Sequence, residues 1–206
     1  MISQDKLLAM LTLQGTLNQK VHPDWRGQNF KWTRAIMVEA VEALDHYGWK
    51  WWKKQEPDLP QVHIELVDIW HFILSHELEA GTALDRLAVI IANGAPDYLK
   101  EGDTHKTFEL LIASAAVGQI HFNAFMALMH KTGLSWDALY TTYIAKNVLN
   151  MFRQDHGYKA GTYIKIWDGK EDNVCLDILM KLKPDATPAL LYAKLEQVYA
   201  KQIIAA

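Results

Sequence analysis

Four carboxylates in two equally spaced pairs make this chain able to hold a cation. Glu39 and Glu42 lie three residues apart, as do Glu65 and Asp68. Within a helix that spacing sets both acids of a pair on one face. A lone Glu-x-x-Glu is ordinarily a solvated acidic flank. The second pair has different surroundings, because Val62 to Leu74 is apolar almost all round and interrupted only by His63, Glu65, Asp68 and His71. Such a helix is expected to be buried, with Glu65 and Asp68 sharing a face with Ile69 and Phe72. Buried carboxylates need a partner charge or a metal. Four of them on neighbouring helices repel unless cations neutralise them, and oxygen-only ligands favour a hard ion, Mg²⁺ or Mn²⁺. Mg²⁺ completes its octahedron with water and phosphate oxygens, so the cluster points to phosphate chemistry. Asp68-x-x-His71 is also half of a ferritin-like di-iron motif, but no second Glu-x-x-His or Asp-x-x-His occurs in the sequence.

Further along, Lys146, Asn150 and Arg153 fall at i, i+4 and i+7, with Asp155, Tyr158 and Lys159 just beyond. One helical face of cations and an amide suits an anion, or equally a solvated surface carrying a salt bridge. The stretch Lys159 to Trp167, which contains Gly161, Tyr163 and Lys165, is too irregular for a helix and could close on a ligand. Near the start, Gln14 and Asn18 intrude on an apolar stripe of Leu7, Met10, Leu11, Leu17 and Val21. Inward amides need partners, either backbone groups or the edge of a nucleobase. The run Trp49-Lys50-Trp51-Trp52-Lys53-Lys54 is either core and interface aromatics or a stacking surface beside lysines.

The elements that must position these residues read as helices throughout: 3–20, 31–47, 60–80, 84–93, 104–132, 135–156, 172–183 and 187–204. No strand pair competes. Asp58 and Pro60 open the third helix, Ser135 opens the sixth, and Gly133 and Gly157 stop helices. The fold class is therefore all-α, one domain over 1–206, with 81–133 as a variable or mobile helical insertion and Gly81 to about Thr104 as the site expected for an insertion or lid.

At 206 residues and 50% hydrophobic the chain can bury a sizeable core, and its net charge of −3 gives no basic field for nucleic acid. Cys175 is the only cysteine, which excludes an intrachain disulfide framework and suits a reducing compartment. No apolar run approaches the roughly 18 to 20 residues of a membrane span, so a soluble cytoplasmic protein is expected.

Taken together, Leu13 to Asn18, Glu39 to Lys53, Glu65 to Phe72 and Lys146 to Lys159 resemble the dimeric dUTPase family, related to the phage dCTPase-dUTPases and the MazG-like all-α nucleotide pyrophosphatases. The resemblance spans residues 11 to about 173. It implies a helical bundle of the all-α NTP pyrophosphatase type that cleaves dUTP to dUMP and pyrophosphate, and dUDP to dUMP and phosphate. Mg²⁺ would be held by Glu39, Glu42, Glu65 and Asp68, with Glu39 and Glu42 as catalytic residues and Glu39 orienting the attacking water. It implies that Gln14, Asn18 and a tryptophan of the run, Trp49 or Trp52, contact uracil beside Lys53. Asn150 joins them at the base or sugar, and His71 borders the same pocket. Lys146, Arg153, Tyr158, Lys159 and Lys165 hold phosphates, and a partner subunit of a homodimer completes the site. The readings set against this are a relative preferring dCTP or another nucleotide, and a non-enzymatic helical interaction module.

Overall fold

A computed structural model describes residues 2–81, 83–183 and 186–205, with the side chains of 203–205 excepted. The chain is all-α. It runs α1 (Gln4–Val21), a 3-10 turn (Trp25–Gly27), α2 (Trp32–Tyr47), α3 (Leu59–Ala80), α4 (Ala83–Asn93), α5 (Asp97–Glu101), α6 (Thr104–Ala116), α7 (Phe122–Thr132) and α8 (Trp136–Asp155). A hairpin of β1 (Ile166–Trp167) and β2 (Lys170–Glu171) follows, then α9 (Asp172–Leu182) and α10 (Pro188–Ala205). Caps set several of these starts. The side chains of Ser3, Asp58 and Ser135 accept from the backbone N–H groups of Lys6, Gln61 and Ala138.

Seven of the expected helices end within one residue of the observed bounds, one is divided, and a short helix, α5, stands where none was expected. The expected helix 104–132 is two helices. Gly118 sits at φ +82° between them, a conformation glycine adopts without the clash a Cβ would bring. The chain also has a strand pair where none was expected. Ile166 pairs with Glu171 and Trp167 with Lys170 across Asp168-Gly169, whose φ angles of +47° and +75° suit the mirror-image turns of tight hairpins.

Apolar side chains of the described residues form two clusters. The larger gathers Leu7, Met10, Ile36, Leu66, Ile69, Trp70, Phe108, Leu111, Phe125 and Leu128 from α1, α2, α3, α6 and α7, together with Leu139 and Tyr143 from the first half of α8. The central helix α3 packs on α1, α2, α4, α7 and α8, which is why it is apolar nearly all round. Segment 81–133 supplies Leu87, Phe108 and Phe125 to this cluster. The smaller cluster sits on the second half of α8, where Ala145, Leu149 and Phe152 meet Trp167, Leu176, Leu191, Leu195 and Tyr199. Trp167 is fully buried there and donates its indole N–H to the Ile164 carbonyl at 2.8 Å. Trp167→Ala is expected to cost about 3–5 kcal/mol in chemical denaturation, the usual range for a buried aromatic replaced by alanine. A cost below about 1 kcal/mol would show that this tryptophan does not hold the hairpin in place.

Candidate active site

The two acidic pairs face each other across α2 and α3. Ligand oxygens of Glu39, Glu42 and Glu65 all lie within 4.8 Å of one another. Glu65 is buried, Glu39 half-buried and Glu42 exposed. Burial, reinforced by the charges of Asp68, Glu65 and Glu42, pushes the Glu39 carboxyl up from 4.5 to about 8. Burial and Asp68 push Glu65 up to about 7, opposed by its hydrogen bond with Glu39 and by Lys146. Carboxylates crowded this closely bind protons when no cation is present, and their all-oxygen donor set fits a hard divalent ion. Asp68 is engaged differently, accepting from Lys146 Nζ at 2.8 Å. His46 Nε2 stands 3.8 Å from Glu65.

A cavity of about 390 Å³ opens beside the acids, and Glu39 and Asp68 line it. Its second wall is a buried polar network. Gln14 donates to Asn18 Oδ1 at 3.0 Å and to Ser75 Oγ at 2.9 Å, while its carbonyl accepts from Tyr143 at 2.9 Å and meets His71 Nδ1 at 2.8 Å. Ser75 also accepts from Asn18 at 3.1 Å and donates to the His71 carbonyl at 3.0 Å. Tyr143 shares its one hydroxyl hydrogen between Gln14 and the Met10 carbonyl, also at 2.9 Å, and the Gln14 carbonyl facing Nδ1 puts the proton of the neutral His71 ring on Nδ1. Burial, helped by Lys146, pulls the imidazole down to about 3, so the ring is neutral. Its Nε2 is a buried acceptor with no partner among the described residues. Asn18 retains one free N–H.

A third wall is aromatic: Trp25, Phe30, Trp32 and Phe72 line the cavity, with Trp32 edge-on to Phe30 at 5.4 Å between ring centroids. Phe72 lies on the α3 face that carries Glu65 and Asp68, as expected, whereas Trp25 and Phe30 lie in the irregular link between α1 and α2, where helical periodicity carries no sign. The fourth wall is the basic face of α8 and its end, Lys146, Asn150, Arg153 and Tyr158. Arg153 lies over the Tyr158 ring at 5.6 Å and donates to Asn150 at 3.0 Å.

Among the residues singled out from sequence, Gln14, Asn18, Glu39, Asp68, His71, Lys146, Asn150, Arg153 and Tyr158 thus border one cavity, and Glu42 and Glu65 complete the acidic group behind it. Trp49, Trp52 and Lys53 do not line it. They lie exposed in the link after α2, where Trp49 donates to Asp45 at 2.8 Å and packs edge-on against Trp52. Lys159 donates to the Val21 carbonyl at 2.6 Å, and Lys165 pairs with Glu171 at 3.1 Å.

The profile of a family described as dUTPase matches residues 6–158. The chain belongs to this dUTPase family. The match takes in every residue that lines the cavity, from Gln14 to Tyr158. The family places the chain among nucleotide pyrophosphatases that hydrolyse dUTP. No curated protein matches the chain. No helix among the described residues is long and apolar enough to cross a membrane.

Proposed function

We propose that the chain hydrolyses dUTP to dUMP and pyrophosphate, and dUDP to dUMP and phosphate, in a Mg²⁺-dependent reaction that Mn²⁺ can also support. The observation that carries this reading is a single cavity with acids on one wall, cations on another, and a neutral polar network and aromatic rings between them. Glu39, Glu42 and Glu65 would hold the ion together with Asp68, through the carboxylate oxygen that Lys146 does not take. When bound, the ion supplies charge neutralisation at the phosphates and a more acidic water.

The protein's own groups do the rest. Lys146, Arg153 and Tyr158 meet the phosphate oxygens, and the aromatic wall shields the reacting end from bulk water. Glu39 orients the attacking water and takes its proton on a carboxylate oxygen. At the base, the Nε2 of neutral His71 can accept from a ring N–H, which uracil carries at N3 and neutral cytosine lacks, and Asn18 can donate to the adjacent carbonyl. Gln14 serves that edge by holding Asn18 and His71 in place.

The reading has the enzyme acting as a homodimer inside the cell. The exposed Trp49, Trp51 and Trp52 offer an apolar surface for a second copy, and the lone cysteine suits a reducing compartment. Pyrophosphate release from a panel of deoxynucleoside triphosphates, with and without Mg²⁺, tests the function. Release from dUTP should exceed that from dCTP by about 10-fold or more and vanish in chelator. Preferential cleavage of dCTP would overturn the uracil assignment, and no metal-dependent release from any nucleotide would overturn the enzyme.

A further inference from the structure

Both cations of the cavity are held by residues outside the family match, which ends at residue 158. The Arg153 guanidinium forks onto Asp172, with Nε 2.7 Å from Oδ2 and NH2 2.8 Å from Oδ1. Asp172 has no solvent exposure, and it also accepts from Tyr163 Oη and from the Asn173 backbone N–H, each at 2.8 Å. The next side chain bridges the two cations. Asn173 Oδ1 accepts from Lys146 Nζ at 3.2 Å and from Arg153 NH2 at 3.4 Å.

Arg153 spends Nε–H on Asp172, both NH2 hydrogens on Asp172 and Asn173, and one NH1 hydrogen on Asn150. Of its five N–H groups one is left, on NH1. Lys146 spends one hydrogen on Asp68 and one on Asn173, which also leaves one. Each cation therefore offers the cavity a single donor in a fixed direction.

We infer that Asp172 and Asn173, at the start of α9, are positioning residues for the phosphate-binding half of the cavity, acting through Arg153 and Lys146. This rests on the reading of those two cations as phosphate ligands. Tyr163 and the hairpin hold Asp172, and the cluster around Trp167 and Tyr199 holds the hairpin, so the segment after residue 158 sets donor geometry inside the site. Donors fixed beforehand bind without the entropy of ordering long side chains, which favours tight phosphate capture.

The test uses the full chain as wild type, Asp172→Asn and Asn173→Ala, titrated calorimetrically in Mg²⁺ with inorganic pyrophosphate and separately with deoxyuridine. Asp172→Asn keeps the shape and loses the charge. Asn173→Ala leaves no buried charge unpaired and decides the matter if Asp172→Asn does not fold. Pyrophosphate affinity should fall by about tenfold in Asp172→Asn and severalfold in Asn173→Ala, the scale of a hydrogen bond to a charged group, while deoxyuridine affinity stays at the wild-type value. The inference is overturned if folded variants keep wild-type pyrophosphate affinity. It is also overturned if both ligands weaken together, which marks a merely structural pair, or if wild type does not bind pyrophosphate. Wild-type hydrolysis of dUTP is read separately, so an active enzyme whose variants keep pyrophosphate affinity sinks the positioning role alone.

Discussion

Glu39→Gln should lower dUTP turnover in saturating Mg²⁺ by about 10²–10⁴-fold, the range lost with a general acid or base, and at the same time stabilise the metal-free protein at pH 8. The two effects have one cause. Glu39 sits where burial and three neighbouring acids oppose its charge, and its carboxyl is pushed up from 4.5 to about 8. Between those pH values the folded chain binds a proton that the unfolded chain releases. Stability of the metal-free wild type therefore falls as pH rises through this window. Glutamine carries no charge at any pH, so the melting temperature of the variant should match wild type near pH 4.5 and exceed it increasingly towards pH 8. Mg²⁺ should raise wild-type stability at pH 8 more than that of the variant. Turnover within tenfold of wild type would remove Glu39 from the chemistry. A melting-temperature difference independent of pH would remove the acidic cluster as its cause.

Gln14→Ala and Asn18→Ala should separate stability from selectivity, although both residues are buried amides on the same face of α1. The Gln14 amide bonds to Asn18, Ser75, Tyr143 and His71. Its removal orphans the buried His71 Nδ1, whereas Asn18, Ser75 and Tyr143 keep partners in Ser75, Asn18 and the Met10 carbonyl. A loss of about 1–3 kcal/mol in urea denaturation is expected, the cost of one unsatisfied buried group. Asn18 has an N–H to spare, so Asn18→Ala should cost less stability and instead reduce the preference for dUTP over dCTP by about 1–3 kcal/mol in kcat/KM. Equal stability losses with unchanged base preference would return both amides to a purely structural role.

The acids were legible because helical periodicity acts on faces: spacing of three places Glu39 with Glu42 and Glu65 with Asp68, and the apolar surroundings of the second pair reveal its burial. Lys146, Asn150 and Arg153 were legible for the same reason. Periodicity says nothing about the path of a link between helices. The resemblance, not the spacing, put Trp49 or Trp52 at the base, and the aromatic residues that line the cavity are Trp25, Phe30, Trp32 and Phe72. The hairpin had a local sign, Asp168-Gly169 between short apolar and charged stretches, which the helical pattern around it masked. The break at Gly118 had only one glycine to mark it, and a single glycine inside a helical pattern is often tolerated. Asp172 and Asn173 carried no sign at all, because their importance lies in what they touch across α8.

Helix α8 belongs to both apolar clusters, Leu139 and Tyr143 to the larger and Leu149 and Phe152 to the smaller. Amide protons along its length should consequently exchange with solvent only when the whole molecule opens, whereas those of α9 and α10, resting on the smaller cluster alone, can exchange through a partial opening that leaves the rest intact. That partial opening would release Arg153 from Asp172. Any ligand that needs Arg153 in place must then slow exchange in α9 and α10, helices it never touches, by the factor through which it suppresses the opened form.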